Sequence, residues 1–205
     1  MTSPLEVMPW RPEPAAGTHI TLGFDGSSVN DWTALRARTR DGFGFTPRHG
    51  DGLPTIWIPG SDGIPRVEVN AAVAEVRERF KVARFYFDPP LWETDGDRWV
   101  EEFGEQVAVP WPTYRTKQMH EALSRYFTDL STGRFKHDGC PLTAQAAANA
   151  RKLPRGSRYI LGKPAEHQKI DPMIADVLSH EAWADAHAAG WTVEAAGPTY
   201  FRLPR

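Results

Sequence analysis

Cysteine is almost absent from this chain. Cys140 stands alone among 205 residues, which excludes an intrachain disulfide framework and every multi-cysteine zinc or iron–sulfur site, and suits a reducing compartment. Long apolar runs are missing as well. The first residues, MTSPLEVMPWRPEPAAGT (Met1 to Thr18), carry four prolines and no apolar core of the kind a signal peptide or membrane anchor needs, so a soluble chain is expected. Nor does charge of one sign dominate: 24 Lys and Arg face 26 Asp and Glu, for a formal net charge of -2. Overall charge therefore announces neither a nucleic-acid nor a membrane partner, and its distribution has to be read instead. No internal period is found, which excludes solenoids and propellers. No serine lies in a G-x-S-x-G elbow, and no G-x-x-x-x-G-K-[ST] phosphate loop is present, so neither serine-hydrolase chemistry nor ATP-driven translocation is encoded here. What is present is globular: 40% apolar and 24% charged residues, despite 18 prolines and 17 glycines.

The order of elements points to an α/β fold. HITLGFD (His19 to Asp25) alternates Ile20, Leu22 and Phe24 with Thr21 and Gly23, the period of a half-buried strand that ends on Asp25. Trp32 to Ala37 reads as a second strand, close enough to form a hairpin with the first, and TIWI (Thr55 to Ile58) as a third. Asn70 is placed to cap a helix carrying Val73, Val76 and Phe80, and VARFYFD (Val82 to Asp88) is a strand stopped by Pro89 and Pro90. Met119, Leu123, Tyr126, Phe127 and Leu130 mark an amphipathic helix from Lys117 to Thr132. An alanine-rich helix over Leu142 to Ala150, a short strand over Arg158 to Leu161 and a helix over Pro172 to Ala189 follow, the last with Asp171 expected at its N-cap. Three antiparallel strands, then alternating helices and strands, imply a mixed sheet flanked by helices.

Two strands thus end in aspartate, Asp25 and Asp88, and one helix begins with it, Asp171. Singly, each is an ordinary turn or capping residue. If the first and fourth strands are neighbours, the three carboxylates converge, and at close range they repel unless a cation is present. All-oxygen donors favour Mg²⁺ or Mn²⁺ over Zn²⁺, and two such ions can activate a water and stabilise the leaving oxygen of a phosphodiester.

Four blocks in order carry a resemblance: GFDGSSVNDWTAL (Gly23 to Leu35), RFYFDPPLWE (Arg84 to Glu93), FKHDGCPLTAQAAANA (Phe135 to Ala150) and KIDPMIADVLSHEA (Lys169 to Ala182). The chain from Ile20 to Ala184 resembles the nuclease domain of bacteriophage large terminase subunits. That resemblance implies an RNase H-like fold and an endonuclease that cuts double-stranded concatemeric DNA during genome packaging with two Mg²⁺ or Mn²⁺ ions. It makes Asp25, Asp88 and Asp171 the metal ligands. Asp31 is similar to an accessory acidic position, and Asp176 is a further candidate, although it lies about 140° around the helix from Asp171. It implies a terminase ATPase domain, a small terminase subunit and a portal as partners, and the host cytoplasm as location. Residues 1–18 then read as a linker or N-terminal extension, 19–189 as the nuclease domain and 190–205 as a tail. With no long apolar seam, the isolated chain is expected to be a monomer.

Charge is unevenly spread. Phe85 to Glu105 holds seven acids against Arg98, whereas Arg134 to Lys169 holds eight bases, Arg134, Lys136, Arg151, Lys152, Arg155, Arg158, Lys163 and Lys169, against Asp138 and Glu166. The basic stretch can follow a phosphate backbone without reading sequence; a solvated face is the plain alternative. Lys169, just before Asp171, is a candidate contact to the scissile phosphate. His137 and His167 read as loop histidines, Cys140 as inert, and Trp92, Trp99 and Trp111 as core. The rival functions are an RNase H-like resolvase acting on branched DNA and a non-catalytic packaging module that docks on the portal or the ATPase.

Overall fold

The computed structural model describes residues 10–191. In chain order the elements are β1 (His19–Asp25), β2 (Thr33–Thr39), β3 (Phe43–Phe45), β4 (Arg48–His49), β5 (Leu53–Pro54), β6 (Ile56–Trp57), α1 (Arg66–Arg79) and β7 (Lys81–Phe87). Then come α2 (Glu93–Phe103), β8 (Ala108–Pro110), α3 (Thr116–Ser131), β9 (Lys136–His137), α4 (Pro141–Asn149), β10 (Arg151–Arg155), β11 (Arg158–Gly162) and α5 (Asp171–Ala188). The main sheet runs β8-β7-β1-β2-β3-β9, with β6 paired to the start of β2. β1, β2 and β3 form an antiparallel meander, and β7 and β8 continue the sheet in parallel beyond β1. This is the mixed α/β sheet expected from the order of elements.

Strand alternation divides the chain into two layers of core. Ile20, Leu22, Phe24, Leu35, Ala37, Phe85 and Phe87 point to one face and pack with Val69, Val73, Val76, Trp92 and Trp99 of the α1–α2 layer. The residues between them point to the other face, which α5 covers; there Tyr86 packs with Met119 and Leu123 of α3 and with Val177 and Leu178 of α5. α5 is almost wholly buried, from Pro172 through Ala182, which is why its sequence has no polar stripe to read.

Gly23 sets how closely α5 lies on β1. A Cβ built there would stand 2.2 Å from both the Ala175 carbonyl oxygen and the Ser179 nitrogen, and 2.8 Å from the Leu178 carbonyl carbon. All three are helix backbone, so no side chain can turn aside. Beside it, the Thr21 hydroxyl donates to the Ser179 carbonyl at 2.9 Å. We expect Gly23→Ala to cost about 3 kcal/mol or more, read as a lowered urea midpoint, because a packed helix must shift.

Several expected boundaries move. Asn70 does not cap α1; the helix starts a turn earlier, after Pro65, and Asn70 instead binds the Asp95 carboxylate at 2.7 Å and accepts from the Trp99 indole at 3.0 Å. Asp171 is the first residue of α5, and Ile170 is its N-cap. The third meander strand is Phe43–Phe45, while the TIWI segment contributes only the two-residue β6. Helix α2 carries no sequence signal of its own, because its acidic residues hide a buried stripe of Asp95, Gly96 and Trp99. Residues 10–18 hold to the domain rather than trailing from it: Arg11 N–H donates to the Asp138 carbonyl at 2.8 Å, and Glu13 pairs with Arg79 at 2.9 Å. Met1 to Pro9, and the tail beyond Trp191, lie outside the described residues.

Candidate functional site

Asp25 and Asp88 are brought together by register. β1 and β7 are parallel neighbours with Phe24 opposite Phe87, and the Asp88 N–H donates to the Phe24 carbonyl at 3.0 Å. Phe24 and Phe87 both face the α1–α2 core, so the next residue of each strand turns to the α5 side. The first turn of α5 adds Asp171. Asp25 and Asp171 share a cleft of about 330 Å³ with Asp31, Thr113, Tyr114 and Lys163, and residues Ile160 to Gly162 of β11 form one wall.

The acids of the site feel one another's charge unequally. Burial raises the Asp25 carboxyl well above the usual carboxylate range, and the charges of Asp171, Asp88 and Asp31 push it further. Asp171 is pushed up to about 6, by burial and then by Asp31, against the opposing pull of backbone N–H donors and Lys163. Asp88 is also raised by burial, although Thr113 opposes this through its N–H at 3.0 Å on one carboxylate oxygen and its hydroxyl at 2.6 Å on the other. Asp31 behaves oppositely. Burial would raise it, but hydrogen bonds from Lys163 and Lys169 hold it below the usual range. The raised acids offer oxygen donors whose repulsion a hard divalent cation would relieve, so the donor chemistry suits Mg²⁺ or Mn²⁺. Among the described residues, no group of three or more His, Cys, Asp or Glu side chains is already closed to ligand spacing.

Solved structures share this architecture. The large terminase nuclease of thermophilic phage G20c superposes with a TM-score of 0.62 at 12% identity, covering 87% of this chain and 94% of that one. The HK97 bacteriophage large terminase superposes with a TM-score of 0.62 at 21% identity, covering 85% of this chain and 40% of that one. The chain has the fold of a phage large terminase nuclease domain. The G20c nuclease has also been solved with bound magnesium and with bound cobalt. In sequence, the Gene 13 protein of Mycobacterium phage D29 is 32% identical over 184 residues, 82% of this chain, and the chain spans only 30% of that protein's length. No family model matches the chain.

On this terminase nuclease fold the remaining candidates separate. Asp176 does not join the acid cluster: Arg36 and Arg38, both fully buried, pair with its two oxygens at 3.1 and 3.2 Å, and Tyr126 donates to it at 2.7 Å. These contacts hold Asp176 at about 2 against the upward push of burial. It anchors β2 to α5 and has no free face for a metal. A cavity of about 530 Å³ reaches this network between α3, α4 and α5, but its acids, Asp138 and Asp176, are both committed to Arg36. The basic residues also divide. Arg151, Lys152, Arg155 and Arg158 are exposed on the β10–β11 hairpin, whose second strand walls the cleft. Lys163 and Lys169 stand at the cleft on Asp31. Arg134 pairs with Asp129 at 3.1 Å, and Lys136 sits on the edge strand β9, so neither belongs to the cleft wall. Trp92, Trp99 and Trp111 are buried, as is Cys140, and His137 and His167 are exposed. Thr113, which fixes the Asp88 carboxylate, is not legible in the sequence, because a lone threonine in a loop carries no periodicity.

Proposed function

We propose that this chain is a divalent-metal-dependent endonuclease module that cuts double-stranded DNA during phage genome packaging. The carrying observation is the convergence of Asp25, Asp88 and Asp171 at the ends of β1 and β7 and the start of α5, with burial and the charges of the other two acids raising Asp25. Those carboxylates would hold two Mg²⁺ or Mn²⁺ ions, which when bound supply Lewis acidity and an activated water for in-line phosphodiester hydrolysis. The magnesium and cobalt bound to the G20c nuclease support a divalent metal here too. Thr113 orients Asp88 through both carboxylate oxygens. The exposed bases of the β10–β11 hairpin hold the DNA backbone by charge, without base reading. The partners would be a terminase ATPase domain, a small terminase subunit and a portal, in the host cytoplasm, with the isolated domain monomeric. Among the described residues no helix is long and apolar enough to cross a membrane. A panel of linear duplex, four-way junction and RNA–DNA hybrid, each with Mn²⁺ and with EDTA, tests this. Linear duplex should be cut at least as well as the others; a preference of about tenfold or more for the junction would favour the resolvase reading.

A further inference from the structure

Asp31 differs from the other acids of the cleft in what it touches. It lies in the turn between β1 and β2, and one of its carboxylate oxygens accepts from two ammonium groups, Lys163 and Lys169, the latter at 2.7 Å. Lys169 also donates to the neighbouring Asn30 carbonyl at 2.6 Å. Lys163 follows the last residue of β11, and Lys169 stands two residues before the start of α5, so one turn holds both ends of the connection that borders the cleft. Neither lysine is free in solvent: their side chains are 28% and 15% exposed. Two cations on one carboxylate leave a surplus positive charge beside the cluster of Asp25, Asp88 and Asp171. An ammonium pair seated on Asp31 would repel a metal approaching that carboxylate, yet it suits the anionic phosphate that must enter the same cleft.

We infer that Asp31 is a positioning residue that holds Lys163 and Lys169 as a phosphate clamp, and is not itself a metal ligand. This rests on the nuclease reading above. Its signature runs against simple charge counting. Removing a carboxylate from a DNA-binding surface should tighten binding, whereas releasing two clamped lysines should weaken it.

The test compares wild type, Asp31→Asn, Asp31→Glu and the double variant Lys163→Met/Lys169→Met, each checked for folding by circular dichroism. Fluorescence anisotropy with a short DNA duplex in EDTA reads the clamp without metal. Calorimetry with Mn²⁺ alone reads the metal site, and KM and kcat on duplex are measured separately. We expect Asp31→Asn to weaken duplex binding about threefold or more, to raise KM, and to leave Mn²⁺ affinity within about twofold of wild type. The double variant should lose at least as much duplex affinity with a smaller salt slope, and Asp31→Glu should recover part of the loss. Tighter or unchanged duplex binding by Asp31→Asn, or a loss of about tenfold or more in Mn²⁺ affinity, would overturn the clamp. If wild type neither binds Mn²⁺ nor cuts, the nuclease reading fails while the anisotropy comparison still decides the clamp.

Discussion

Asp25→Asn is expected to abolish metal-dependent cleavage and, at the same time, to make the metal-free protein more stable. Activity should fall on the order of 10²–10³-fold or more, because a carboxylate central to the cluster is gone. The gain in stability follows from the same geometry. Burial and the charges of Asp171, Asp88 and Asp31 raise the Asp25 carboxyl far above its ordinary 3.8, so near neutral pH its charge works against the fold. A neutral amide of the same shape removes that cost. A rise in melting temperature of about 2–4 °C or more is expected for a chain of this size. A drop in stability would mean that Asp25 carries a structural contact instead of a strained charge.

Asp176→Ala is expected to do the reverse: to destabilise the protein severely without touching the chemistry directly. Arg36 and Arg38 would lose the carboxylate they share, and Tyr126 its acceptor, all in a region closed to water. Leaving a buried charge uncompensated costs about 3–5 kcal/mol, enough to unfold many domains. Arg36 keeps Asp138 at 3.2 Å, so Arg38 bears most of the loss. The pH dependence is specific. Asp176 titrates at about 2 in the folded chain against an ordinary 3.8, so its contribution is complete above 3.8 and disappears as the pH falls towards 2. The gap in urea midpoint between wild type and variant should therefore be constant near neutrality and narrow below pH 3.8.

The strands that bear the site were legible because their patterning is local. Ile20, Leu22 and Phe24 alternate cleanly, and Pro89 and Pro90 mark where β7 must stop, so Asp25 and Asp88 fall at strand ends on sequence alone. That they are adjacent depends on the parallel pairing of β1 with β7, which strand alternation cannot specify. α5 hid its orientation because nearly every side is buried, and Asp176 could be separated from Asp171 only by helical geometry and the arginines that claim it. The basic stretch is visible as composition, but only the β11 half of its hairpin is legible: Pro154 and the mostly exposed, charged residues of β10 carry no strand alternation. Asp31 shows the limit most clearly. As one more acid near Asp25 it invited a ligand role, and only the lysines meeting it from the other end of the chain assign it a different one.

The proposed metal-dependent cutting site of Asp25, Asp88 and Asp171 is tested most directly by conversion of supercoiled plasmid to nicked and linear DNA. Wild type is run in EDTA, Mg²⁺ and Mn²⁺ beside folded Asp88→Ala, whose loss leaves Thr113 with nothing to orient. Cutting in Mg²⁺ or Mn²⁺, none in EDTA, and none by the variant is the predicted result. Cutting that persists in EDTA or in Asp88→Ala at the wild-type rate, or its absence in every metal, would contradict it, the last outcome favouring a module that only docks.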